Sequence, residues 1–324
     1  MLPWIKHYAK LVFSSLTLIF FIILIMFFLL ELAPGDPVQA LIGDAPVSAE
    51  FRAEMVRNFN LDAPAYVRFL SYIGNVVTGD LGYSYANSEK VLDLILGRLG
   101  NTLILTLPSI VLSSLGAIAL GSFAARTRSK AKDAGVTFTA VVGFSIPSFW
   151  LSLLLILLFS VMLGWLPAQG MSSFSSSGFS LPHLILPLAA MTIGELAFKT
   201  RIMRSSMIES LGQDYIDTAR SKGLSGGVIV RRHALLNSML PMVSVIGLSL
   251  CYAIAGSVLV ERVFGWPGMG LLLYDAIQKS ENMIILGVLF VLTITVVVVN
   301  FLTDIVYGIV DPRIARRYQL EREA

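Results

Sequence analysis

Apolar residues in this chain do not alternate with polar ones; they come in long uninterrupted blocks. Uncharged runs fill 11–30, 102–125, 134–163, 238–260 and 282–303, and a further apolar run near 181–198 carries one acid, Glu195. A helix needs about 20 apolar residues to cross a bilayer. The pattern therefore predicts an all-α membrane protein with six transmembrane helices. The first run is longer than the apolar region of a signal peptide. The ELAPGDP that follows it offers no small-x-small cleavage site, so the run reads as a retained span.

Two of the segments between blocks have patterns of their own. In 32–98, Ser48 opens a helical stretch over 48–60, with Phe51, Met55, Val56 and Phe59 at helical spacing. A second amphipathic helix is expected over 64–77, with Tyr66, Phe69, Leu70, Ile73 and Val77 on its apolar face, and Gly79, Asp80 and Gly82 mark a turn. These features predict a small folded cap. In 199–237, Ile208, Leu211, Tyr215 and Ala219 recur three or four apart, as one helical face. Glu209, Asp214, Asp217 and Arg220 fall on other faces. Gly223 stops that helix, a second stretch covers about 225–237, and Pro241 opens the next span. The reading is helix, tight turn, helix, projecting from the membrane; long loops with secondary structure of their own are usually functional.

The expected organisation is residues 1–31 as amino terminus and first span and 32–98 as external cap. Residues 99–310 form the transmembrane core, with the loop 199–237 inside it, and 311–324 are a tail. Composition agrees. The chain has 324 residues, of which 56% are hydrophobic and 14% charged, and its mean hydropathy is +0.77. A soluble domain carries about 25% charged residues. The net charge of +3 comes from 24 lysines and arginines against 21 acids. It points to no nucleic acid, because most of the basic residues cluster at the amino terminus, around 126–132, across 199–232 and in the tail. Segment 164–180 has no charge at all. By the positive-inside rule, both termini and the 199–237 loop lie in the cytoplasm and 32–98 lies outside. The single cysteine, Cys251, reads as a buried core residue. His7, His183 and His233 show no metal-ligand spacing, so no metal site is expected.

The stretch YIDTARSKGL followed by RRHALLNSMLP resembles the signature loop of permease subunits of ABC importers. The motif maps onto Asp217, Thr218, Ala219, Gly223, Leu240 and Pro241, with Thr218 where alanine is commoner. LAPGDP (32–37), GDLGYSY (79–85), GFSIPSFWLSLLL (143–155), LGWLPAQG (163–170) and ERVFGWPGMGLLLYDAI (261–277) resemble the dipeptide, oligopeptide and nickel branch of that family. The branch usually continues with an arginine-aspartate-aromatic-proline stretch; here QKSENMI stands instead, which bears on substrate identity.

The resemblance implies an inner-membrane subunit that does no chemistry itself. It implies pairing with a homologous permease, two ATPase subunits that bind ATP and magnesium, and an extracytoplasmic solute-binding protein. Coupling to the ATPases would fall to Tyr215, Asp217, Thr218, Ala219, Arg220, Gly223, Leu224, Leu240 and Pro241. Short peptides are the expected cargo, with nickel or another metal chelate as the alternative. LSGG at 224–227 has the letters of an ATPase signature, but the chain has no phosphate-binding G-x-x-x-x-G-K-[ST] loop.

Three further residues are candidates for the path or a gate. Glu195 is an acid inside a span, and such groups often serve function; alternatively it simply pairs with Lys199 four residues on. Pro147 either gates or statically bends the third span. Trp150 either lines the path or packs. A secondary transporter or channel is the rival class, but the chain shows neither internal repeat nor a rich set of intramembrane charges.

Overall fold

The computed structural model describes residues 2–32, 48–58, 63–84, 87–172 and 179–310. LAPGDP beyond Leu32, the serine-rich 173–178 and the tail from 311 lie outside the described residues. Two compact units emerge. One comprises residues up to Thr102 together with Pro267–Val297; the other comprises Leu103–Trp266 and the residues from Val298.

The first unit holds α1 (Leu2–Glu31), α2 (Ala49–Asn58), α3 (Ala65–Val77), a short hairpin, the start of α4 (Val91–Arg126), α11 (Met269–Gln278) and the first part of α12 (Asn282–Val310). Ser48 starts α2 by accepting the Phe51 amide at 3.2 Å. Helix α3 forms as expected, but its inward face is rotated from the predicted one. Phe69 is buried, whereas Tyr66, Leu70 and Val77 are exposed. Phe69 and Tyr72 meet Phe27 of α1 at ring-centroid distances of 5.3 and 5.8 Å, and burial pushes the Tyr72 phenol up to about 12.

Gly79 and Gly82 take positive φ, and the Gly82 amide donates to Asp80 at 2.9 Å, so the expected turn forms. It leads into an antiparallel hairpin, Tyr83–Ser84 with Glu89–Lys90, which period-2 patterning over so few residues does not announce. Helix α4 begins at Val91, inside the segment assigned to the cap. Its first turns lie close to α12: a Cβ on Gly287 would sit 2.7 Å from Val91 and 2.9 Å from Ile95. The QKSENMI corner is tied down internally. Buried Glu281 accepts the Ser84 hydroxyl at 2.6 Å, just before α12 starts.

The second unit holds the rest of α4, then α5 (Lys130–Ser145), α6 (Ser148–Leu155) continuing as a π-helical stretch Ile156–Met162, α7 (Leu181–Leu211), α8 (Asp214–Ser221), α9 (Gly226–Ile229), a second π stretch Val230–Ala234, α10 (Leu235–Phe264) and the end of α12. Helix α7 is its hub, packing against α5, α6 and α10. Small residues set the spacing. A Cβ on Gly121 of α4 would lie 2.7 Å from the Met203 Cβ and 2.9 Å from two α7 backbone atoms, so the two helices touch backbone to backbone there.

Two expectations are corrected in this unit. The run 134–163 is not one helix. Ile146 is extended, as a residue before proline tends to be, and Pro147 starts α6, with the axes of the pair bent by 98°. Pro147 therefore breaks the element instead of kinking it. Nor does a loop begin at 199: α7 runs on to Leu211, and the return helix is continuous from Gly226, so Pro241 lies within α10 and does not open it.

Among the described residues, four helices are long and apolar enough to cross a membrane, or five if the bent pair counts as one; Phe13–Leu29 of α1 forms a shorter apolar stretch. The described residues thus stop short of the expected six.

Candidate functional site

The two longest polar-tipped helices of the second unit, α7 and the α9–α10 continuation, are joined through α8. Gly212 ends α7, donating to Ile208 and Glu209 carbonyls at 3.2 Å. Asp214 and Asp217 then stand in the first turn of α8, where the helix dipole favours acids. At the other end Gly223 has φ +75. Its amide donates to Arg220 at 2.9 Å and the Leu224 amide to Ala219 at 3.3 Å, the paired bonds of a Schellman stop. A Cβ on Gly223 would meet nothing within 4 Å, so the demand for glycine is one of backbone conformation alone.

Helix α8 is docked by two residues. Ile216 and Ala219 are buried in a cluster with Met203 and Met207 of α7, Ile229, Ala234, Met242 and Ala117. The predicted face of Ile208, Leu211, Tyr215 and Ala219 does not exist as one face, because the chain turns at Gly212–Gln213 between two helices; Ile208 and Tyr215 are exposed.

Asp217, Thr218, Arg220 and Leu224 are also exposed. Asp217 and Arg220 pair at 3.0 Å in the open, which contributes little stability. The Tyr215 hydroxyl lies 2.7 Å from Ser210 Oγ, which donates to the Ala234 carbonyl at 3.0 Å. One turn deeper, Ser206 and Ser238 hydroxyls each lie 3.2 Å from the other's carbonyl. Serines thus bind the two long helices directly behind α8. Leu240 is half-buried and Pro241 exposed, beyond this zip on α10. Arg204 of α7 makes a two-pronged pair with Asp133 in the first turn of α5, at 2.6 and 2.7 Å.

Further along α7 lies a second polar group. Lys199 is fully buried, not the loop residue its position suggested, and its Nζ donates to Glu195 Oε2 at 2.8 Å and Ser113 Oγ of α4 at 2.9 Å. Ser249 of α10 donates to the same Glu195 Oε2 at 2.6 Å. The expected i,i+4 pair exists, and it links three helices. Pro147 and Trp150 are exposed at the α5–α6 corner. Cys251 is half-buried, with Sγ 3.6 Å from Asn300 Oδ1, rather than sealed in a core.

Residues 117–316 match the family described as "Binding-protein-dependent transport system inner membrane component", and residues 4–106 match the amino-terminal region of such components. The chain belongs to this family. The permease is 38% identical to the oligopeptide transport system permease protein AppB of Bacillus subtilis, over 93% of this chain and 96% of that one. It is 38% identical to the di/tripeptide transport system permease protein DppB of Pseudomonas aeruginosa, over 91% and 94%. It is 34% identical to the glutathione transport system permease protein GsiC of Escherichia coli, over 96% and 99%. In fold it resembles a chain of the inward-facing MetNI methionine ABC transporter, with TM-score 0.54, 20% identity and coverage of 67% of this chain and 96% of that chain.

The sequence pattern named the exposed residues of α8 in the permease and one of its two anchors, Ala219, but not the other, Ile216. Ile216 follows Tyr215 and was hidden by a periodicity run across the break at Gly212. The Gly-Gln pair at 212–213 was the available signal. The Asp133–Arg204 clamp joins residues 71 apart and had no local signal.

Proposed function

We propose that the permease forms one half of the transmembrane path of an ATP-driven importer that passes short peptides from an extracytoplasmic solute-binding protein into the cytoplasm. In this reading α1 and the α5–α6 pair each count as one of six spans, which leaves both termini and α8 on one side, and the charge distribution favours the cytoplasm for that side. A homologous permease completes the path, and two ATPase subunits carry ATP and magnesium.

The observation that carries this reading is the mounting of α8. An eight-residue helix, anchored by Ile216 and Ala219, stands at the tip of two serine-zipped helices with its remaining surface exposed. Tyr215, Asp217, Thr218, Arg220 and Leu224 make that surface polar with apolar points, suited to a groove on an ATPase. A rigid tip on two long helices transmits displacement from the groove into the membrane. Peptides are the favoured cargo because AppB and DppB are named as oligopeptide and di/tripeptide permeases. The external segment with α2 and α3 is the reading's contact for the binding protein.

The test is purification of the tagged chain from its native membrane in mild detergent, with mass-spectrometric identification of what accompanies it. Two ATPase chains and a sister permease are expected. A chain that purifies alone, under conditions where a related importer stays assembled, overturns the reading and makes the loop a mere connector.

A further inference from the structure

We propose that Glu195 is a solute-contacting residue of the translocation path, where its free carboxylate oxygen accepts hydrogen bonds from N–H groups of the passing peptide, the amino-terminal ammonium first among them. This rests on the peptide-importer reading above and adds a site to it.

The argument starts from asymmetry in the ion pair. Lys199 is 0% exposed and Glu195 36% exposed, so one partner is sealed in the helix bundle and the other opens outward from it. Both protein donors, Lys199 Nζ and Ser249 Oγ, converge on Oε2. Oε1 takes no hydrogen bond among the described residues. A carboxylate at this depth does not face acyl chains, where an unsatisfied polar oxygen is costly; it faces the bundle interior or a water-filled cavity. The open side of Glu195 therefore belongs to an aqueous surface.

Lys199 gives the site its character. Held by Ser113 on α4, it binds Oε2 and turns that oxygen inward. It also cancels the net charge. A lone carboxylate would trap an ammonium group, whereas a neutralised pair leaves a strong acceptor without a deep electrostatic well. A path requires contacts favourable enough to enter and weak enough to leave. The backbone N–H groups of a peptide are the donors shared by all cargoes of differing side chain. Ser249 stands on α10 and Glu195 on α7, the two helices that carry α8, so movement of α8 relayed along them alters this contact.

Two measurements on the assembled importer in proteoliposomes test the proposal. In the first, Glu195→Cys is combined with Lys199→Met and Cys251→Ser, and the thiol is challenged with a charged methanethiosulfonate. Reaction from water, slowed when peptide is supplied, is expected. A thiol reached only by lipid-soluble reagents, or by none because the sister subunit covers it, overturns the proposal.

In the second, Glu195→Gln with Lys199→Met removes both charges without stranding a buried ammonium. Uptake of a free dipeptide is divided by uptake of its amino-terminally acetylated form. The same binding protein serves wild type and variant, so its own selectivity cancels between them. The variant's ratio is expected to fall by about tenfold, the effect of one lost charge-assisted hydrogen bond. An unchanged ratio, both peptides slowing together, would mean a purely structural pair and overturns the proposal. If the wild-type importer takes up no peptide of any kind, it is the peptide reading that fails.

Discussion

At the scale of single residues, the sharpest demand is at Gly223. Its φ of +75 lies where a side chain costs about 1–2 kcal/mol, and more for a β-branched one. Gly223→Val is expected to abolish uptake while the protein still inserts in the membrane, and Gly223→Asn, which tolerates the left-handed region, should retain most uptake. Transport assays in vesicles with matched membrane levels decide it. Gly121 makes the opposite kind of demand, one of space. Gly121→Val pushes α4 off Met203 and the α7 backbone, and overpacking of this kind costs about 1–3 kcal/mol. A melting temperature of the detergent-solubilised complex lowered by several degrees is expected. Of these two glycines, the chain's pattern exposed only the first. Gly223 terminates a visible helix, whereas Gly121 is one small residue among many in an apolar run, and only its distant neighbour Met203 distinguishes it.

At the scale of elements, α8 is held by two apolar residues and aimed by its neighbours. Ile216→Asp places a charge in the methionine-lined seat and should release α8 without touching its exposed face; truncation of a buried isoleucine alone costs about 2–5 kcal/mol. The expected readout is loss of ATPase co-purification, with the exposed Tyr215, Asp217 and Arg220 all still present.

The Asp133–Arg204 pair ties the α7 lever to α5. Asp133→Arg or Arg204→Asp alone should lower uptake, and the double exchange should restore part of it; failure of any restoration would show that the residues act separately. Helices and their types were largely legible from apolar runs, because burial in lipid leaves a strong one-dimensional trace. Where elements ended was less legible. The turn at Gly212–Gln213 sits inside a stretch that keeps helical periodicity on both sides, and the change from apolar to charge-bearing sequence at 199 falls in the middle of α7, so polarity and helix boundary do not coincide. The rotated face of α3 has the same root: in an apolar helix, Tyr66 and Leu70 look as suited to burial as Phe69 and Tyr72.

At the scale of the whole molecule, the proposed function gives α2 and α8 different partners, and the two contacts can be separated by experiment. Deleting 48–60, which removes α2, should abolish the stimulation of ATP hydrolysis by loaded binding protein while co-purification of the ATPases persists. Unchanged stimulation would move the contact elsewhere. The break before Pro147 bears on how the chain is made. Helix α5 has 16 residues and α6 with its π stretch has 8 and 7, so each half reaches only about 22–24 Å at 1.5 Å per residue, against about 30 Å of hydrocarbon. Neither half is a self-sufficient stop for the insertion machinery. When the segment up to residue 162 leaves the ribosome, the helix that both halves pack against, α7, follows it in the chain. The order of synthesis thus leaves the corner waiting for a helix that comes after it.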